Sequence, residues 1–220
     1  MIVELSHAAT KFMDLTKIRN DLIVDETIKL FFTSSISNVT MKEIAAKADI
    51  GEASLYRYFK HKKNIVLAAS LKLQSQISSN YFDLNKGVNG LDKLTIFYNS
   101  YLDIFKESTS YYKFINEFDA YMLEEDFLDS SYEDNLNIFK NSFMDAYKLG
   151  VEDCSIKNIE DIETFYYSST HALLELCKKL SSDKKLLNQD KLSNKEGEIK
   201  TLINVLISYL KPCEPDASKK

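Results

Sequence analysis

The stretch Thr40–Lys63, TMKEIAAKADIGEASLYRYFKHKK, reads as two short helices joined by a tight turn. Thr40 followed by Glu43 is a capping box: the hydroxyl takes an orphan N–H while the carboxylate reaches back. Ile44, Ala45 and Ala48 form a narrow apolar edge, and the alanines allow close helix crossing. Asp49 stands where the chain must turn, and Asp tolerates a left-handed backbone. Ile50 closes the turn, and Gly51 and Glu52 open the second helix with a carboxylate facing the positive end of the helix dipole. Leu55 and Phe59, four apart, bury that helix. Glu52, Ala53, Ser54, Tyr56, Arg57 and Tyr58 are left on or near the outer face.

An outer face of this kind fits the major groove of duplex DNA. A helix N-terminus can approach phosphate, hydroxyls and arginine can donate to phosphate oxygens or base edges, and small Ala53 lets the backbone come close. A solvated charged face is the ordinary alternative for a helical hairpin. Here the tyrosines, Arg57 and the trailing Lys60, Lys62 and Lys63 lie together, which favours DNA contact.

Residues 23–68 resemble the N-terminal domain of TetR-type transcriptional regulators. The resemblance rests on Leu30-Phe31 ending a first helix and on Thr40-Met41-Lys42-Glu43-Ile44-Ala45. It continues through Ser54-Leu55-Tyr56-Arg57-Tyr58-Phe59, and through Lys62 opening a fourth helix at Asn64-Ile65-Val66-Leu67. It implies phosphate contacts at Thr40, Tyr56 and Lys62, with Lys60 beside them. Glu52, Ala53, Ser54 and Arg57 would face bases or sugars, Tyr58 would lie near the backbone, and Gly51 belongs to the same DNA-contacting set. The family often has Gly where this chain has Ser35 and Asp49. Glu52 is unusual on such a face, where it can accept from a cytosine amine or repel phosphate.

Composition agrees with a helical protein. Five glycines and two prolines in 220 residues leave few breakers, and a hydrophobic fraction of 45% is ample for a core. The net charge of -5 is unevenly spread: residues 1–63 carry ten Lys/Arg against eight Asp/Glu, and the remainder is acidic. That asymmetry suggests a small basic head on an acidic body. The opening residues lack the apolar core of a signal peptide, and no apolar run approaches the roughly 20 residues needed to cross a bilayer. A cytoplasmic protein without membrane contact is expected. Residues 1–16 precede the usual family start and read as a short additional helix, an arm or a disordered tail.

Cys154, Cys177 and Cys213 and His7, His61 and His171 are scattered without metal-ligand spacing. No phosphate loop, nucleophile elbow or acid–base constellation is present. Neither a cofactor, a metal nor an enzyme is expected.

Beyond Lys63 the periodicity predicts helices at Asn64–Asn85, Leu91–Glu107, Tyr111–Glu124, Ser131–Gly150, Asn158–Leu180 and Lys195–Lys211, the last stopped by Pro212. Gly150 reads as a left-handed C-cap. With the head, about nine helices result. The organisation is an extension at 1–16, a three-helix helix-turn-helix domain at 17–63, a larger helical body at 64–212 and a tail at 213–220.

The last two long helices carry apolar residues at three- or four-residue spacing, and the second is apolar nearly all round. The resemblance implies a homodimer through them, at Ile162, Phe165, Ser169, Leu173, Leu176, Leu180, Leu202, Leu206 and Tyr209. The middle helices are rich in aromatics, which at helical spacing can simply fill a core. Tyrosine hydroxyls nevertheless need partners once buried. The resemblance implies a pocket for an unidentified small-molecule inducer, for which Tyr98, Tyr101, Phe105, Phe114, Glu117, Phe118, Tyr121, Phe143, Tyr147, Tyr167 and His171 are candidates. The expectation is an all-α, homodimeric repressor of a palindromic operator, released by that inducer. The other reading is an acidic all-helical module that docks on protein rather than DNA.

Overall fold

The computed structural model describes residues 2–125, 129–182 and 194–212, with side chains from residue 16 onward. Among them are nine α-helices and no strands: α1 Ile2–Thr33, α2 Met41–Lys47, α3 Glu52–Phe59, α4 Lys62–Tyr81, α5 Gly90–Glu107, α6 Thr109–Glu124, α7 Ser130–Glu152, α8 Ile162–Ser181 and α9 Lys195–Leu210. None is long and apolar enough to cross a membrane. The polar stretch at 183–193 and the tail at 213–220 lie outside the described residues. The chain divides into two compact units. Unit 1 comprises Met1–Leu73 and Phe114–Leu128; unit 2 comprises Gln74–Lys113 and Asp129–Lys220. Helix α4 begins in unit 1, and the part of α6 from Phe114 onward belongs there too.

In unit 1 the expected capping box forms. The Thr40 hydroxyl accepts from Glu43 N–H, and the Glu43 carboxylate accepts from Thr40 N–H at 2.8 Å. Such a cap is worth about 1 kcal/mol. Asp49 turns the chain at φ 52, and Lys60 closes α3 at φ 58. Ser35 is not among the left-handed residues, so its side chain is accommodated where the family often has Gly. Ile44 and Leu55 are fully buried between α2 and α3, and Ile23, Ile36, Ile65 and Val66 complete the core. Each contributes about 1.5–3 kcal/mol by leaving water. The Phe31 ring of α1 stacks 6.0 Å from Phe114 of α6, which lies 6.0 Å from Phe118. Helix α1 is continuous from Ile2, so the extension and the first head helix form one element.

Unit 2 is built around α5, which packs against α7, α8 and α9. Phe97 and Tyr98 are fully buried at its centre, with Phe143 of α7 at 5.3 Å from Phe97 and Tyr166 of α8 at 6.5 Å. Gly150 does not cap a helix. Helix α7 runs on to Glu152, and the left-handed residue is Cys154. Gly150 is instead a point of close approach: a Cβ there would meet Ile156 at 2.3 Å, and a Cβ on Gly90 would meet the Gly150 backbone at 2.1 Å. Helix α8 starts at Ile162 rather than near Asn158 because Asp161 caps it, accepting from Thr164 N–H at 3.0 Å.

Candidate nucleic-acid interface and ligand cavity

In unit 1, Leu55 and Phe59 turn α3 inward, at 0% and 9% exposure. Glu52, Ala53, Tyr56 and Arg57 are exposed and Ser54 and Tyr58 half-buried, as the spacing requires. The Arg57 guanidinium donates to Ser54 Oγ at 3.0 Å, which orients it along the outer face while leaving most of its five donors unused. Gly51 caps α3 with no side chain, and a Cβ there would meet nothing within 4 Å, so the helix N-terminus is open to an approaching anion.

A groove runs beside this face, lined by Thr16, Ile18, Arg19 and Leu22 of α1 and by Asp49, Ile50, Gly51, Ser54, Arg57 and Tyr58. Arg19 is thus a second arginine next to the reading helix. Sequence reasoning had assigned it no role, because only the fold brings α1 beside α3.

Lys60 is exposed. Thr40 is exposed too, but its hydroxyl already serves Glu43. Lys62 is engaged inside unit 1: it donates to the Ser37 carbonyl at 3.2 Å and lies 5.4 Å from the centre of the Tyr121 ring. Burial lowers its pKa, against the pull of Glu125 and Glu43.

Unit 2 holds a cavity of about 400 Å³. Its walls come from Ile77, Phe82, Tyr101, Ile104, Tyr111, Tyr112, Tyr132, Glu133, Leu136, Asn137, Phe139, Lys140, Tyr166, Tyr167, Thr170, His171 and Leu174. Of the expected pocket residues, Tyr101, Tyr167 and His171 line it. Four others fill the unit 2 core instead. Tyr98 donates to Ser169 at 2.8 Å, Phe143 packs on it, Phe105 lies against Tyr112, and the Tyr147 hydroxyl accepts from Ile159 N–H at 2.8 Å.

Phe114, Glu117, Phe118 and Tyr121 belong to unit 1 and do not line the cavity. Glu117 accepts from the buried Ile36 N–H at 2.7 Å. The reason is position along the helix: 114, 117, 118 and 121 lie in the part of α6 that belongs to unit 1, and the cavity is met by Tyr111 and Tyr112, about one turn earlier. Sequence reasoning had also passed over α7, whose Tyr132, Leu136, Phe139 and Lys140 form a wall. Their i, i+4, i+7 and i+8 spacing was the available signal.

Lys140 donates to Glu163 and to the Tyr167 hydroxyl, and these partners raise its pKa. The cavity's own ammonium is therefore paired. Burial pushes the Tyr166 hydroxyl up to about 12 and the Tyr101 hydroxyl well above its ordinary 10.

On α8 and α9, Val205 and Tyr209 are 60% and 49% exposed, and Ile162, Phe165, Leu176, Leu202 and Leu206 are half-buried. Phe165 and Tyr209 stack at 5.1 Å. Ser169, Leu173 and Leu180, expected at a dimer surface, are buried within unit 2. The apolar stripe on α8 is wider than one face, and its inner half serves the subunit's own core.

A capped helix pair with an exposed arginine-bearing second helix, set in an all-helical chain, defines a helix-turn-helix DNA-binding protein. Residues 23–69 match the family model described as bacterial regulatory proteins, tetR family. Residues 23–69 are thus similar to the N-terminal domain of that family, and the described residues share the fold of solved TetR-family regulators. Among solved structures, it is similar to the ketosteroid transcriptional regulator KstR2 of Mycobacterium tuberculosis, at 15% identity and TM-score 0.61, over 88% of this chain and 95% of that one. The fatty acid degradation regulator FadR from Bacillus halodurans matches at 14% identity and TM-score 0.60, over 86% and 94%. A TetR-family transcription regulator from Marinobacter aquaeolei VT8 matches at 15% identity and TM-score 0.58, over 92% and 100%. No curated protein matches the sequence.

Proposed function

We propose that this chain is a homodimeric repressor that reads a palindromic operator with α3 and is released by a small uncharged effector held in the unit 2 cavity. The observation that carries the reading is the arrangement of α3, with Leu55 and Phe59 inward and Arg57, Tyr56 and the open N-terminus outward. Arg57 is suited to guanine edges and Tyr56, Lys60 and Arg19 to phosphates. A second copy, associated through Phe165, Leu202, Val205, Leu206 and Tyr209, would set two reading helices roughly 34–36 Å apart, one helical turn of DNA.

The cavity and its aromatic lining support effector control. Helix α6 gives Tyr111 and Tyr112 to the cavity and Glu117 and Tyr121 to unit 1, so a ligand that moves α6 bears on both. Release follows if the ligand favours a state that fits the operator poorly, by as much as its affinities for the two states differ. The test is fluorescence anisotropy with duplex DNA from the region upstream of the protein's own coding sequence. Binding that weakens steeply with salt supports the reading, and salt-independent or absent binding refutes it.

A further inference from the structure

The tyrosines of unit 2 differ in one respect. Tyr98 donates to Ser169 Oγ at 2.8 Å, Tyr112 donates to the Tyr101 carbonyl at 2.9 Å, and Tyr81 donates to Glu107 at 3.1 Å. Tyr101 and Tyr166 have ring neighbours, and their carbonyls accept, but neither hydroxyl has a hydrogen-bond partner among the described residues. Tyrosine hydroxyls that line a largely apolar cavity need a partner there. Both residues line the 400 Å³ cavity.

We infer that the Tyr101 and Tyr166 hydroxyls are the donors for acceptor oxygen on a compact, uncharged, largely apolar ligand, of the class of a cyclic ketone. This rests on the cavity being the effector site. Burial keeps both phenols protonated at neutral pH, so they stand ready as donors. The rest of the wall argues against a charged head group. Lys140 is already neutralised by Glu163, and Glu133 and His171 are exposed to solvent. An anion drawn inside would lose its hydration without a free counter-charge, and a cation would find only the solvent-exposed Glu133. The volume lies toward the small end of ligand pockets and suits one or two rings. Ile77, Phe82, Ile104 and Phe139 supply the apolar contact.

The test titrates the full chain calorimetrically with four probes on one skeleton: 4-phenylcyclohexanone, phenylcyclohexane, 4-phenylcyclohexanecarboxylate and 4-phenylcyclohexylammonium. The ketone is expected to bind at least about tenfold more tightly than the oxygen-free hydrocarbon, since the latter leaves two donors unpaired. Tyr101→Phe and Tyr166→Phe keep the rings and remove only the hydroxyls. Together they should abolish the ketone's advantage and leave hydrocarbon affinity within about twofold. Equal affinity of ketone and hydrocarbon, a ketone preference that survives the double variant, or tightest binding by the carboxylate or the ammonium would each overturn the inference alone. If none of the four binds, the inference and the effector reading of the cavity both fall.

Discussion

Removing the Glu117 carboxylate should loosen unit 1 without touching the ligand cavity. Glu117 accepts the Ile36 N–H at 2.7 Å, and Ile36 is fully buried in the loop between α1 and α2. In Glu117→Ala that donor is orphaned, which costs about 1–3 kcal/mol; a middle value of about 2 kcal/mol is close to a thirtyfold loss in the local folding constant. Glu117→Gln keeps an acceptor but loses the charge assistance and should cost about half as much. The chain has no tryptophan, so unfolding is followed by circular dichroism at 222 nm in urea. With an m-value of about 2 kcal/mol/M for the unit, the alanine variant's midpoint falls by about 1 M. Hydrogen exchange at the Ile36 amide should accelerate by the same factor, because exchange reports local opening. An unchanged midpoint together with an unchanged Ile36 exchange rate would refute the anchoring role. Weakened 4-phenylcyclohexanone binding at normal stability would return Glu117 to the ligand site.

Arg57→Ala should relax sequence preference at one or two base pairs by about 1–3 kcal/mol each, read by competition among mutated operators; an unaltered preference would move Arg57 to the phosphate contacts. Val205→Asp places a charge on the exposed apolar face of α9 and should yield monomer by analytical ultracentrifugation, with DNA affinity falling in parallel; a persisting dimer would locate the interface elsewhere. Alkali should unfold unit 2. Burial raises Tyr166 and Cys177 to about 12 and Tyr101 higher still. The folded state therefore holds protons that the unfolded chain releases near their ordinary values of 10.0 and 9.0. That stability is complete below about pH 9 and is lost as pH rises toward 12; tyrosinate absorbance that titrates fully near pH 10 while the helices persist would contradict it. Gly90→Ala drives a methyl into the Gly150 backbone and should cost about 2 kcal/mol or more in thermal melts, whereas Gly51→Ala, which meets nothing, should cost little.

The head was legible because its signals are local. Thr40 and Glu43 sit three apart, Asp49 needs a particular backbone, and Leu55 and Phe59 share one helix face. None of these requires knowledge of a distant partner. The cavity was legible only as a region. Tyr101, Tyr167 and His171 line it and Phe114, Glu117, Phe118 and Tyr121 do not, since an aromatic stripe does not say which neighbour it faces. Helix α6 is divided between two units, and that division comes from contacts as remote as Phe31 with Phe114. Gly150 shows the same difficulty: glycine at a helix end suggests a cap, but here it permits Ile156 and Gly90 to approach. Ser169 and Leu173 were ambiguous for a related reason, because an apolar stripe cannot distinguish an inner partner from a second subunit.

The central claim is that paired copies of α3 read duplex DNA and that a cavity ligand releases them. Nuclease footprinting of the protein's own upstream region tests it most directly, carried out across a salt series and then with 4-phenylcyclohexanone. The account predicts two symmetric protected patches about one helical turn apart. They should fade together as salt rises, and the ketone should lift them at fixed salt. Protection of a single patch, protection indifferent to salt, or none at all would contradict it.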